Sequence, residues 1–167
     1  MKKAILMTIL ACLIILPSCT TSSGPKSPDE PKKASKGYVK VNFATEGLAT
    51  EFVKMKVLIN GEQKALLGTT ETEFVSKDID ISKPVSVVIE PEFTDIDAPA
   101  EKFDFGYDFS YTVGVSSDEG KSFSSSQRDN ENKSGAGINP DAFDNTIEKT
   151  KERLKRLEFT IENGSVK

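Results

Sequence analysis

Carboxylates are the main side chains in this sequence with types and spacings suited to acid–base or metal chemistry. The chain of 167 residues holds 26 Asp+Glu, 22 Lys+Arg, two Cys and no His. A Ser–His–Asp relay needs an imidazole, and structural or catalytic zinc is held mostly by His and Cys. Both Cys residues, Cys12 and Cys19, lie near the N-terminus, so the rest of the chain offers neither ligand type. Paired carboxylates remain. Such a pair runs general acid–base chemistry when one member has a raised pKa. Asp104 with Asp108, two pleats apart on one strand face, and Glu90 with Glu92 have that spacing. The competing reading is a solvated strand face opposite an apolar core, and no catalytic residue is assigned. Acidic neighbours also suit Ca²⁺, which takes six to eight oxygen ligands. Asp95 and Asp97, in the loop from Pro91 to Glu101, form the best of a weak set, without the spacing of a twelve-residue calcium loop. No Gly-rich phosphate loop opens a helix, and no dinucleotide fingerprint follows a strand.

The N-terminus carries a different kind of chemistry. Met1-Lys2-Lys3 is followed by an uncharged apolar run, Ala4 to Leu16. As a helix this run is about 20 Å long, against a bilayer core of about 30 Å. It has the dimensions of a signal-peptide core, with a short transmembrane anchor as the competing reading. It ends in Leu16-Pro17-Ser18-Cys19. This stretch resembles the lipobox of bacterial lipoprotein precursors, with Pro17 departing from the usual small or aliphatic residue. The resemblance covers the first nineteen residues. It implies lipidation of Cys19 on sulfur, cleavage between Ser18 and Cys19, and acylation of the new amine. It further implies a lipid-anchored protein of the bacterial cell envelope. Thr20-Thr21, where inner-membrane retention would use Asp, leans the expectation toward the outer membrane. An ordinary secreted protein cut nearby is the alternative. The lipid on Cys19 is the single expected attachment; no other cofactor is expected.

Thr20 to Lys36 is rich in Ser, Thr, Pro and Lys and has no large apolar side chain. It cannot bury enough surface to offset chain ordering, so the reading is a disordered tether over 19–36. Loss of Lys2 and Lys3 with the leader makes the mature chain more acidic than the full-length net charge of −4. Nucleic acid, bound through phosphate neutralisation, is a poor partner for such a chain.

A single domain is expected from Gly37 to Lys167. Val39, Val41 and Phe43 alternate, as do Val53, Met55, Val57 and Ile59, the strand period. Asn60-Gly61 signals a tight hairpin, with Glu62 to Leu67 returning. Glu73 to Ile81 reads as a strand through Val75, Ile79 and Ile81. Val85 to Glu90 reads as another, stopped by Pro91. The longest alternation runs through Phe103, Phe105, Tyr107, Phe109, Tyr111, Val113 and Val115, with a bend expected near Gly106 or Gly114. Lys121 to Gln127 is a polar return strand, and Arg128 to Asn139 a mobile loop. Asn139 caps a helix near 140–156, with Pro140 at its first position and Phe143, Ile147, Leu154 and Leu157 on one stripe. Leu157, Phe159 and Ile161 suit a last strand.

About seven strands with one C-terminal helix predict a mainly β domain: an antiparallel β-sandwich, Ig-like or transthyretin-like, with a small β-barrel as the alternative. The polar tract Ser122, Ser124 and Ser126 is the candidate exposed edge, able to accept a protein partner's strand. The expected function is a membrane-anchored, non-catalytic binding or scaffolding module. The alternatives are an apolar-ligand binder with a cavity lined by Phe105, Phe109 and Val113, and a carboxylate-dependent polysaccharide hydrolase using Asp104 and Asp108.

Overall fold

The computed structural model describes residues 34–68 and 70–167. The leader, Cys19 and the tether as far as residue 33 lie outside the described residues. Two antiparallel sheets make up the domain. Strands β1 (Lys36–Gly47), β4 (Glu73–Asp80), β6 (Phe105–Ser116) and β7 (Ser124–Lys133) form one, in the order β4-β1-β6-β7. Strands β2 (Val53–Ile59), β3 (Glu62–Leu67), β5 (Val85–Phe93), β8 (Leu157–Glu162) and β9 (Ser165–Val166) form the other, in the order β3-β2-β5-β8-β9. Each sheet keeps two edges, so the architecture is a sandwich and the barrel alternative is corrected.

Period-two alternation places the core. Val39, Val41 and Phe43 of β1 are fully buried, as are Val53, Met55 and Val57 of β2. They meet Phe105, Val113 and Val115 of β6 and Val87 and Ile89 of β5, which are equally inaccessible. Asn60 and Gly61 both take positive φ, 52° and 79°, which lets two residues turn β2 into β3. Every second side chain points inward, so a one-residue slip would expose a whole set, and the pairing is fixed by burial.

Several details differ from the sequence reading. β1 begins at Lys36, inside the expected tether; Ala34 rests on the core and the Ser35 N–H donates to the Ser116 carbonyl. Val75 does not share a face with Ile79: Gly37 faces Ile79 but Val39 faces Ser76, so β4 carries an extra residue. That bulge reverses the alternation, turning Phe74 partly inward and leaving Val75 exposed. Pro91 does not stop β5, which pairs with β2 as far as Phe93. Thr94 N–H donates to Phe52 O and Asn60 N–H to Ser86 O. Even-numbered residues of β5 therefore exchange hydrogen bonds with β2, and Pro91 directs its missing N–H the other way. There β8 has already ended, its pairing with β5 finishing at Leu157–Ile89.

The long strand β6 is irregular at Gly114, as expected. Val113 faces Gln127 but Val115 faces Ser124, so β7 bulges opposite this glycine. A Cβ on Gly114 would lie 3.1 Å from Ser126 Cβ and 3.2 Å from Phe123 Cδ1. The helical region starts as a 3₁₀ turn, Pro140–Ala142, and only then becomes α2 (Phe143–Arg153). Asn139 precedes the turn without a side-chain cap; its backbone carbonyl accepts from Ala142 instead. α2 buries Phe143, Thr146 and Thr150, and Leu154 follows it into the core. The Thr150 hydroxyl donates to the Thr146 carbonyl at 2.8 Å, which makes burial of Thr150 tolerable. Phe143 meets Phe103 edge-on, ring centroids 6.0 Å apart.

Candidate functional site

Three of the four paired carboxylates, Asp104, Glu90 and Glu92, have structural partners. Asp104 accepts the Gly137 N–H on Oδ1 at 2.8 Å, and its carbonyl accepts the Leu48 N–H. It pins the chain after β7 to the end of β1. Asp108 stands exposed on the outer face of β6, and between the two Glu46 folds over Gly106. Glu90 pairs with Arg156 at 3.0 Å and Glu92 with Lys56 at 3.1 Å. Asp95 and Asp97 flank Ile96, which packs on the core, and Glu51 lines the same shallow depression. Among the described residues no three His, Cys, Asp or Glu groups converge as a metal site.

The serine tract divides in two. Ser122 lies outside β7, in the turn from β6. Its hydroxyl donates to Asp118 Oδ2 at 2.6 Å and its N–H to Oδ1 at 2.8 Å. The Ser116 hydroxyl donates to the same carboxylate at 2.8 Å. These bonds, from Ser122 above all, hold the Asp118 pKa down at about 2. Ser124 and Ser126 belong to β7 itself.

β7 is an edge strand over ten residues, including Arg128 to Lys133, which the sequence reading left as a loop. Its orientation follows from one contact. The Phe105 N–H donates to Gly135 O at 2.9 Å. Antiparallel pairs alternate between bonded and non-bonded. The bonded ones are therefore Tyr107–Lys133, Phe109–Glu131 and Tyr111–Asp129. The backbone groups of Arg128, Asn130 and Asn132 point away from β6. Among the described residues no strand pairs with them, although β9 comes close to β7 across the sandwich corner. These three residues present the outward backbone of the edge, which the sequence does not announce. The available signal was the length of β6: a strand of twelve residues flanked on both sides needs partners of similar length.

The inward side of β7 meets the far sheet through charge. Glu131 pairs with Arg153 at 3.0 Å, closing the gap between β7 and α2. Beneath them the Tyr107 hydroxyl is buried without a hydrogen-bond partner among the described residues. Burial, then the Glu131 charge, pushes its pKa up. Tyr111 stacks obliquely on Phe159, centroids 5.4 Å apart.

The geometry defines a class, an antiparallel β-sandwich with a fully polar open edge. No protein-family model, curated protein or solved structure matches the chain.

Proposed function

We propose that the chain is a lipid-anchored, non-catalytic binding module of the bacterial envelope, which takes an extended segment of a protein partner on the outer edge of β7. The observation that carries this is the row of outward N–H and C=O groups on Arg128, Asn130 and Asn132, which no strand pairs among the described residues; the Asn130 N–H donates to the adjacent Asp129 Oδ1 at 2.8 Å, a bond that an incoming strand would replace. An open edge is a template for another strand, and proteins commonly blunt such edges with bulges and charge. Here the bulge sits only at the Ser124 end, while the stretch from Gln127 to Lys133 pairs regularly with β6 and leaves its other side open. Main-chain bonds along such an edge supply affinity, and the alternating side chains supply choice.

The anchor rests on the Leu16-Pro17-Ser18-Cys19 motif, and Thr20-Thr21 favour the outer membrane. Burial of acyl chains contributes about 0.8 kcal/mol per CH₂, and two chains hold a protein firmly. The apolar-ligand reading lacks support, since Phe105 and Val113 are fully buried and Phe109 is nearly so, in contact with other core side chains. Metabolic labelling with an azide-bearing palmitate analogue tests the anchor. The wild-type chain should take the label and fractionate with membranes, and Cys19→Ser should do neither. An unlabelled wild-type chain contradicts the anchor. Photocrosslinking from position 130 then tests the edge. A discrete crosslinked partner that is absent when the photoreactive group is moved to position 64, on β3, supports it. Equal crosslinking from both sites contradicts it.

A further inference from the structure

The outer face of the first sheet is built differently from that of an ordinary solvated strand array. Along β6 the outward positions are Gly106, Asp108, Ser110, Thr112 and Gly114, all small. Most of their neighbours are longer, Lys40 and Asn42 on β1 and Arg128, Asn130 and Asn132 on β7, while Ala44 opposite Asp108 leaves the β1 wall low at that point. A floor of short side chains between taller walls makes a trough. Two depressions of about 330 and 360 Å³ lie along these strands, the first around Asp108 and Asn132, the second around Ser110 and Asn130. Both ends are closed. Glu46 folds over Gly106 and accepts the Ser134 hydroxyl at 3.1 Å. Phe123 lies over Gly114, its ring 4.4 Å from that of Tyr38, and remains 38% exposed. Between these two caps the open floor runs from Asp108 to Thr112, about 14 Å at ~3.4 Å per residue.

The chemistry of the trough selects its ligand. The backbone beneath β6 is bonded on both sides, so only side chains are offered. They are hydroxyls and amides, with the carboxylates of Glu46, Asp108 and Asp129 balanced by the cations of Lys40, Arg128 and Lys133, so donors and acceptors are mixed along the trough. The Lys40 charge is met by Glu73 at 2.9 Å, and Asp108, beside Asn132, and Arg128, beside Thr112, carry opposite charges four residues apart along the trough. A polyanion would find no net positive field, and an apolar chain no apolar floor. An extended peptide would leave its own backbone groups facing side chains, and the β7 edge serves it better. A ligand with many hydroxyls satisfies every group, and the exposed Phe123 ring provides a stacking surface for a pyranose face at one end. We infer that this trough binds a neutral, extended oligosaccharide. The inference does not depend on the edge reading, because the two sites use opposite parts of β7, side chains in one case and backbone in the other.

Calorimetric titration of the purified mature lipoprotein, held in a detergent without a sugar headgroup, tests it. The probes are cellohexaose, maltohexaose, xylohexaose, chitohexaose and, as the charged comparison, hexagalacturonate. At least one neutral hexasaccharide should bind, and Phe123→Ala should weaken it about tenfold, equivalent to about 1.4 kcal/mol. Ser110→Arg, which fills the floor, should abolish binding while the circular dichroism stays that of the wild type. Phe123 is exposed enough that its replacement is safe for folding if Ser110→Arg is not. Absence of binding by all neutral probes overturns the inference. So does tighter binding of hexagalacturonate, or neutral-sugar binding indifferent to Phe123→Ala.

Discussion

β6 and β7 share a ladder of hydrogen bonds, yet they do different work. β6 alternates Phe, Tyr and Val with small polar residues and buries almost its entire inward row. β7 reads SSSQRDNENK and contains no apolar side chain. The first strand is held by what it removes from water. The second is held by its neighbour's ladder and by one ion pair at its inner face. The comparison teaches that a strand at a sheet edge can form without hydrophobic periodicity, provided the adjacent strand is long and fixed. Such a strand leaves its outer side without a strand neighbour among the described residues.

The sharpest way to test this contrast is to remove apolar volume from β6. Phe105→Ala should destabilise the fold by about 3–5 kcal/mol in denaturant unfolding, the range for a fully buried aromatic. A change as large from a single alanine on β7 would break the contrast. Glu131→Pro removes an N–H that donates to Phe109 within the ladder and should cost about 1–3 kcal/mol. Tyr107→Phe deletes a buried hydroxyl without a partner. It should leave the unfolding free energy within about 1 kcal/mol of wild type, on the stabilising side.

The smallest effect concerns the β6–β7 turn. Asp118 has a folded pKa of about 2 against 3.8 for the free side chain. A depressed carboxylate pKa contributes stability that is present above pH 3.8 and lost as pH falls through about 2. The turn amides of Gly120 and Ser122 should lose hydrogen-exchange protection across that window. Asp118→Asn should flatten the dependence, and an unchanged profile would remove the carboxylate's role in joining the two strands.

The same contrast explains how much was legible. The bounds of β2 and β3 were readable to the residue, because alternation and the Asn60-Gly61 turn state them locally, but not the bulge at Lys64 that shifts their register between Leu58–Gln63 and Val57–Ala65. The stripe from Phe103 to Val115 announced the core for the same reason. The phase reversal in β4 was hidden, since Val75, Ile79 and Ile81 match one alternation and only the pairing with Gly37 and Val39 introduces the extra residue. The second half of β7 was hidden more deeply. Nothing between Arg128 and Lys133 favours a strand in isolation; its conformation comes from β6, a long-range partner. Pro91 misled because a proline stops a strand only where its N–H is needed. Thr150 escaped the helix stripe because its burial relies on a hydroxyl-to-carbonyl bond rather than on apolar character. The candidate serines were half informative: Ser124 and Ser126 do lie on the edge strand, and Ser122 belongs to the turn.

The edge itself can be tested with a single residue. Asn130→Pro deletes an outward N–H together with its exposed bond to Asp129 Oδ1 and leaves the bonds to β6 in place, so the fold should survive. In cells carrying a photocrosslinking group at Asn132, the account predicts that this variant unfolds at the wild-type denaturant concentration but loses its crosslinked partner. Retention of that partner at wild-type yield would contradict the account.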